Sequence, residues 1–395
     1  MRRFFLFVFF ILGHVAGVAQ SVTEATKISL LTGSPGAELY STFGHSALRV
    51  RDESQNMDIV FNYGTFDFNT PNFYLKFARG KLDYKLSVEQ FEQFMASFTY
   101  ENRSVLEQEL NLDVSQKQRL ISLLFRNYEP KNRFYKYDFF YDNCATRIRD
   151  IMLEAYGEDF HYYFPSSWSN SDLTFRNLID MYLRYHHWSD FGIDIALGVP
   201  TDKFARPMDY MFLPDYLSEG FGSASLQNGA GEVPLVKEQR LLLAKTDQSP
   251  QVLLISPIML FWSLFFIVAL LSGFQLQKGW RMPGFDKLFF STIGMLGWVV
   301  FLLWFFTDHI ATKNNLNILW AVPIHFPLFL FWNKFSGTFK KWYIMIFAAI
   351  NVLILILWSF FPQQYHYAFI PLILVMLMRY YFLYREINAN HVGGD

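Results

Sequence analysis

Long apolar runs recur in the last third of the chain, and each is long enough to cross the ~30 Å hydrocarbon core of a bilayer. The pattern predicts five membrane-spanning helices, at about residues 252–274, 288–306, 316–332, 342–361 and 367–385. The C-terminal part, residues 251–386, is therefore predicted to be an all-α transmembrane domain, followed by a short cytoplasmic tail, residues 387–395.

The first residues have the pattern of an export signal. Arg2 and Arg3 precede a short apolar stretch that ends in the small residues 16–19. This pattern predicts a signal peptide over residues 1–19 rather than an uncleaved anchor helix. Export would place the domain that follows the signal peptide outside the cytoplasm. The first membrane span would then lead the chain back into the cytoplasm.

The distribution of basic residues supports this orientation, because cytoplasmic loops of membrane proteins are enriched in Lys and Arg. The predicted outer loops carry only Lys313. The predicted inner segments carry Lys278, Arg281, Lys287, Lys334, Lys340, Lys341, Arg379 and Arg385. We therefore expect a multi-pass protein of the bacterial inner membrane with its N-terminal domain in the periplasm and its C-terminus in the cytoplasm.

Residues 20–220 mix period-two and helical patterns, which predicts an α+β exported domain. Predicted strands lie at 27–32, 46–51, 58–63 and 104–112, and predicted helices at 113–127 and 143–156. Residues 87–90 (SVEQ) resemble a capping box that opens a helix through about Phe98. Residues 221–250, rich in Gly, Ser and Gln, are expected to form a linker.

Composition narrows the classes of partner. The net charge of −1 provides no basic stripe that would neutralise phosphates, so a nucleic-acid partner is not expected. Aromatic residues make up 19% of the chain and are dense in residues 157–190. Such a segment suits either a membrane interface or ordinary core packing, and the sequence leaves both open.

Cys144 is the only cysteine, and it lies in residues 141–147 (YDNCATR). An exported lone thiol has no intrachain disulfide partner, so it is either a buried structural residue or a nucleophile. Asp142 or Asn143 is a good helix N-cap. Either would place Cys144 in the first turn, where backbone N–H groups and the helix dipole favour a thiolate. These polar flanks favour the nucleophile.

A thiol nucleophile needs a base and a group that orients the base. His45 opens a predicted strand directly after Gly44 and is the preferred base. Asn62 on the next strand is the first choice for the third residue, with Asp142 and Asp138 as alternatives. A serine-hydrolase elbow is absent, and one Cys with scattered His residues lacks zinc-ligand spacing, so neither a metal nor another cofactor is expected.

The third predicted span contains His325 between Pro323 and Pro327. An ionisable residue inside a membrane is a candidate for substrate contact. The alternative is a kinked helix in which the imidazole bonds a neighbouring hydroxyl or carbonyl group.

A strand-borne His, a polar residue on the next strand and a helix-borne Asn-Cys resemble the circularly permuted papain-like superfamily. That superfamily includes the NlpC/P60 amidases and the lecithin:retinol acyltransferase group. The whole chain further resembles the Lnb-type lipoprotein N-acyltransferases. The resemblance lies in residues 41–50, 62–67, 77–81, 141–147 and the five-helix tail.

The resemblance implies that Cys144 is the nucleophile and His45 the base of a thiol acyltransferase. A phospholipid would donate the acyl chain through a Cys thioester to the α-amine of a lipoprotein. Arg79, Lys81 and Arg147 are candidates for contact with lipid phosphate, and the alternative for each of them is a solvated surface position. A cell-wall amidase or peptidase using the same dyad, and a non-enzymatic membrane sensor or assembly factor, are the alternatives.

Overall fold

The computed structural model describes residues 22–229, 231–246 and 253–392. The predicted signal peptide lies outside these residues, as do residues 247–250 of the expected linker and the last three residues of the tail.

The N-terminal part is built on an antiparallel sheet of order β10-β5-β1-β2-β3-β4-β6, and a smaller sheet has the order β7-β8-β9. The strands are β1 (Lys27–Gly33), β2 (His45–Asp52), β3 (Met57–Thr65), β4 (Asp83–Gln90), β5 (Val105–Leu110), β6 (Phe134–Lys136), β7 (Phe160–Tyr162), β8 (Ala224–Asn228), β9 (Gly231–Pro234) and β10 (Val236–Leu243). The four strands predicted from sequence correspond to β1, β2, β3 and β5.

Helices cover both faces of the main sheet. In the N-terminal part they are α1 (Phe73–Ala78), α2 (Phe91–Tyr100), α3 (Val114–Tyr128), α4 (Cys144–Tyr156), α5 (Ser166–Ser169), α6 (Phe175–Leu183), α7 (His187–Ala196), α8 (Pro207–Tyr210) and α9 (Pro214–Gly222). Strand alternation separates two cores, because Leu48 and Val50 pack with α3 and α4 while Ala47 packs with α2.

The predicted capping box at residues 87–90 was wrong. These residues belong to β4, and the helix begins only at Phe91. Alternate residues Tyr84 and Leu86 of β4 are buried, and the strand pairs with both β3 and β6. Residues 87–90 themselves pair with β3, and this pairing overrides the local capping pattern.

Most of the expected linker is regular structure instead. Residues 224–243 contain β8, β9 and β10, and β10 forms an edge of the main sheet beside β5. The N-terminal domain therefore extends beyond the predicted boundary at residue 220. The aromatic residues of the segment 157–190 divide between environments, since Phe160 and Trp168 are buried whereas Tyr163 is exposed.

The C-terminal part consists of apolar helices that surround a second core. They are α10 (Pro257–Lys278), α11 (Pro283–Phe306), α12 (His325–Leu330), α13 (Gly337–Ile356) and α14 (Phe369–Val392). Among the described residues, α10, α11 and α13 are long and apolar enough to cross a membrane. The other two predicted spans correspond to α14 and to a broken segment around α12.

The third predicted span is not a continuous helix. A short 3-10 turn, Leu316–Leu319, precedes the six-residue α12. This segment packs closely on α11, where a methyl group on Gly294 would lie 2.1 Å from the Phe326 nitrogen. Small residues permit such backbone approach between membrane segments. The prolines that flank His325 account for the break, since Pro cannot supply a helical N–H.

The loops at one end of the C-terminal helices contact the N-terminal domain. Trp188 donates to the Ile255 carbonyl at 2.9 Å, Asn315 donates to the Ile195 carbonyl at 2.8 Å, and Gln363 donates to the Leu197 carbonyl at 3.2 Å. Of the C-terminal residues in these contacts, Ile255 precedes α10, Asn315 follows α11 and Gln363 precedes α14. These three positions lie at or in the predicted outer loops. The predicted alternation of the loops between the two sides of the membrane therefore agrees with the fold.

Arg379, counted among the inner basic residues, is not a surface charge. Its guanidinium is fully buried and forms a bidentate ion pair with Asp286 at 2.6 and 2.9 Å. It also donates to Ser272 at 3.0 Å and Gln275 at 2.9 Å. Hydrogen bonds to all these groups are what make a buried charge tolerable in a membrane domain.

Candidate active site

Cys144 and His45 meet at one end of the main sheet. His45 is the first residue of β2, and Cys144 is the first residue of α4, which packs on β2 and β3. Cys144 is buried, with 9% of its surface exposed, whereas His45 is only partly buried. The two groups interact electrostatically, so the structure brings the predicted nucleophile and base together.

Asn62 orients the imidazole. Its Oδ1 lies 2.7 Å from His45 Nε2, and its Nδ2 donates to Glu89 Oε1 at 2.8 Å. The second bond fixes the amide so that its oxygen faces the ring. Nε2 therefore carries a proton, which leaves Nδ1 as the nitrogen available to the thiol.

Asn143 caps α4 and holds the first turn in place. Its Oδ1 accepts from the N–H groups of Ala145 and Thr146, both at 2.9 Å, and its Nδ2 donates to two carbonyl groups at 2.8 Å. The N–H of Asn143 donates to Thr146 Oγ1 at 2.8 Å and completes a capping box. The cap does not use the N–H of Cys144 itself.

The pair favours a thiolate and an imidazolium. Burial alone lowers the pKa of His45 and raises the pKa of Cys144. The attraction between the two opposite charges outweighs burial, with help from Asn62 on His45 and from the N–H groups of Ser46 and Ala145 on the sulfur. The net result is a Cys144 pKa below, and a His45 pKa above, the ordinary value.

Gly64 leaves room for about one methyl group beside Cys144. It has φ +86°, which favours glycine. A methyl group there would lie 3.6 Å from Cys144 Cβ and 3.9 Å from both the Cys144 nitrogen and the Tyr135 hydroxyl. Tyr135 has no acceptor for its hydroxyl proton among the described residues. Burial raises the pKa of Tyr135, so the group stays neutral and can donate. The Cys144 nitrogen and the Tyr135 hydroxyl thus lie beside the same position at Gly64.

The comparison with sequence families follows the same two-part division. The Lnb N-terminal periplasmic domain matches residues 18–174, and the Lnb transmembrane domain matches residues 247–390. The chain belongs to the Lnb family. It is therefore a membrane protein with a periplasmic N-terminal domain and a five-helix transmembrane domain. Comparisons with curated proteins and with solved structures find no match.

The basic residues proposed for phosphate contact lie in two places in this Lnb protein. Arg79 and Lys81 are exposed beside the loop after α11, where the Arg79 carbonyl accepts from the Asp308 N–H at 2.9 Å. Arg147 lies at Cys144 but already forms an ion pair with Asp142 and stacks on the Tyr135 ring at 4.0 Å. A phosphate at Arg147 would have to compete with Asp142.

His325 is separate from the dyad. It is fully buried in the core of the Lnb transmembrane domain, where Nδ1 meets the Tyr343 hydroxyl and Nε2 lies 3.0 Å from the Tyr380 hydroxyl. Both ring nitrogens are therefore satisfied by neutral partners. This arrangement matches the structural alternative, in which the imidazole bonds neighbouring hydroxyl groups.

Sequence patterns did not single out Tyr135 or Glu89. Tyr135 is in the three-residue strand β6, and Glu89 is in the strand that was mistaken for a helix start. The two alternatives for the third residue do not touch His45, since Asp142 pairs with Arg147 and Asp138 accepts from the N–H groups of Phe140 and Tyr141. The period-two pattern of residues 83–90 would have found Glu89.

Cavities and possible metal ligands lie elsewhere in this Lnb protein. Two cavities, of about 480 and 660 Å³, share Asp215 and are not lined by the dyad. Asp190, Asp194 and His366 are close enough to hold a metal ion. However, Arg176 pairs with Asp194, and His366 Nδ1 accepts from the Ala368 N–H at 3.0 Å. Nε2 must then carry the proton, which opposes metal binding.

Proposed function

We propose that this Lnb protein is a lipoprotein N-acyltransferase that works through a thioester on Cys144. The supporting observation is the Cys144–His45–Asn62 arrangement in a domain fixed against membrane helices. The acyl donor is a phospholipid, and the acceptor is the α-amine of a lipoprotein's N-terminal cysteine. Tethering at the membrane raises the effective concentration of both lipid substrates at the thiol.

The first half-reaction transfers the acyl group to sulfur. The Cys144 thiolate attacks the ester carbonyl, and the carbonyl oxygen becomes negatively charged. The Cys144 N–H and the Tyr135 hydroxyl, which lie beside Gly64, would donate to that oxygen. The C–O bond to glycerol then breaks, the departing oxygen takes a proton from the His45 imidazolium, and a lysophospholipid leaves.

The second half-reaction transfers the acyl group to nitrogen. Neutral His45 accepts a proton from the acceptor's amine as its nitrogen attacks the thioester carbonyl. The C–S bond breaks, an amide forms, and the thiolate with imidazolium is regenerated. Asn62, held by Glu89, keeps the ring oriented through both steps.

Mass spectrometry of the purified protein after incubation with phospholipid vesicles tests the proposal. We expect a fatty-acyl mass on Cys144 that hydroxylamine removes, no such mass on Cys144→Ala, and little on His45→Ala. Lipoprotein N-termini from cells with and without the protein then distinguish N-acylation from hydrolysis. An unaltered protein that never carries an acyl group, and instead cleaves cell-wall peptides, would establish the amidase alternative.

A further inference from the structure

Residues 66–81 expose an unusual amount of apolar surface for a segment of a periplasmic domain. Phe68 is 70% exposed, Tyr74 80%, Leu75 58% and Phe77 52%. We call residues 66–81, which include α1, the aromatic segment. Contiguous exposed apolar groups of this size mark an interaction surface, and Lys76, Arg79 and Lys81 add positive charge beside them.

The aromatic segment lies at the end of a membrane span. The Asp308 N–H donates to the Arg79 carbonyl at 2.9 Å, and a ring nitrogen of His309 lies 3.1 Å from the Phe77 carbonyl oxygen. Both partners follow α11 by two or three residues. With 24 residues α11 is ~36 Å long, slightly more than a bilayer core, so its end lies at the membrane surface.

The exposed end of α11 lies beside the aromatic segment. Phe305 and Phe306, the last residues of α11, are 55% and 60% exposed. They belong to the lipid-facing surface of a membrane span. The apolar side chains of the segment thus lie near helix-end side chains that a bilayer would cover. Aromatic residues beside Lys and Arg are the residues that membrane interfaces favour.

A row of aromatic rings joins the segment to the thiol. The Phe66 ring lies 5.6 Å from that of Phe73 and 5.3 Å from that of Tyr84, which stacks on Tyr137 at 4.4 Å. Burial is the main cause that raises the pKa of Tyr137, and the charge of Cys144 raises it further. Tyr137, the last ring of the row, is therefore close to the sulfur. Gly64, two residues before Phe66, lies against Cys144.

From this arrangement we infer that the aromatic segment inserts into the periplasmic leaflet and takes up one phospholipid for Cys144. The acyl chain follows the aromatic row, and the phosphate is bound by Arg79 and Lys81. The delivery step rests on the proposed acyl transfer, whereas the insertion of the segment does not.

Insertion can be measured with spin labels because the chain has a single cysteine. In a Cys144→Ser background, Tyr74→Cys is labelled with a nitroxide, and the full-length protein is placed in vesicles of phosphatidylethanolamine and phosphatidylglycerol. Tyr163→Cys is the matched control. Tyr163 is also an exposed tyrosine, but it contacts Glu232 and lies beyond the C-terminal end of α4, whereas Cys144 begins that helix.

We expect the label at residue 74 to be relaxed more by oxygen than by a water-soluble nickel complex, and the label at residue 163 to show the reverse. Water exposure at both positions overturns the inference whatever the enzyme does. If the label at residue 74 is inserted but the protein that retains Cys144 never acquires an acyl group, insertion is supported and delivery is overturned together with the proposed function.

Delivery is tested with Leu75→Ser/Phe77→Ser in the protein that retains Cys144. The acylation rate should fall about tenfold or more, the order expected from losing two apolar contacts with lipid. Alkylation of Cys144 by iodoacetamide should stay unchanged, which shows that the site is intact. Tyr163→Ser should change neither rate. Unchanged acylation in the double variant overturns delivery through the segment.

Discussion

His45 in the periplasmic domain and His325 in the membrane domain are each held by two partners, but the partners differ in kind. His45 faces a thiol that ionises and an amide that is itself held by a carboxylate. His325 is fully buried between two tyrosine hydroxyls. The first arrangement stabilises a charged ring that substrate can approach, whereas the second satisfies a neutral ring within a core. The partners, more than the histidine, decide which site can do chemistry.

Replacing each histidine should separate the two sites most clearly. His45→Ala should lower the acyl-transfer rate by about 10²–10⁴-fold, the usual contribution of a general acid–base. His325→Gln keeps polar atoms between the two tyrosines and should leave the rate near that of the unaltered protein. Acyl transfer to a lipopeptide, followed by mass spectrometry, measures both. A large loss in His325→Gln at unchanged thermal stability would contradict the comparison.

Replacement of Tyr135 should have the next largest effect on the acylation rate. Tyr135→Phe removes the hydroxyl that faces Gly64, and loss of one oxyanion donor costs about 10²-fold in the chemical step. Tyr343→Phe removes a tyrosine hydroxyl from His325 instead and serves as the control, with the acylation rate unchanged. Equal rates for Tyr135→Phe and the unaltered protein would remove Tyr135 from the mechanism.

The pH dependence of Cys144 alkylation tests directly whether Cys144 and His45 form an ion pair. An ordinary thiol, with a pKa near 8.5, is almost entirely protonated at pH 6. Cys144 has a lowered pKa because of the His45 imidazolium, whose own pKa is raised. Alkylation by iodoacetamide should therefore begin at a lower pH in the unaltered protein than in His45→Ala, whose thiol lacks the neighbouring imidazolium. Superimposable pH profiles would show that no ion pair forms.

The smallest effect is expected at the junction of the two domains. Burial, with the charges of Asp194 and Asp190, raises the pKa of Asp180 to about 8. An unfolded Asp has a pKa near 3.9, so the folded state binds the extra proton and loses stability as the pH rises from about 4 to 8.

Asp180→Asn should remove this loss of stability. Its melting temperature should exceed that of the unaltered protein at pH 9 and differ little from it at pH 4. Thermal unfolding in detergent at the two values measures the difference. An equal increase in melting temperature at pH 4 and at pH 9 would indicate a change in packing instead of a change in protonation.

Strong periodic patterns predicted much of the architecture. The alternation around Leu48 and Val50 and the apolar stripe of α4 both correspond to buried positions. The N-cap of α4 was also visible in the sequence, where Asp142 and Asn143 were both candidates, because a cap depends on residues two or three apart. These features are local, so neighbouring residues determine them.

Features that depend on distant partners were not predicted. Residues 87–90 pair with β3, where Val60 lies opposite Glu89, so Glu89 was placed at a helix start and its contact with Asn62 was missed. Arg379 was read as a cytoplasmic charge because Asp286 is 93 positions away. Tyr135 shows no pattern at all, since its role depends on a glycine in another strand.

The edge position of β10 has a practical consequence for preparing the periplasmic domain alone. A truncation at residue 220 would remove the strand that covers β5 and leave its N–H and C=O groups unpaired. An uncovered strand of this kind pairs readily with other chains, so the shortened protein should aggregate. A fragment that ends after Leu243 retains the closing strand. A preparation of the periplasmic domain therefore has to include residues that the composition of the chain would assign to a linker.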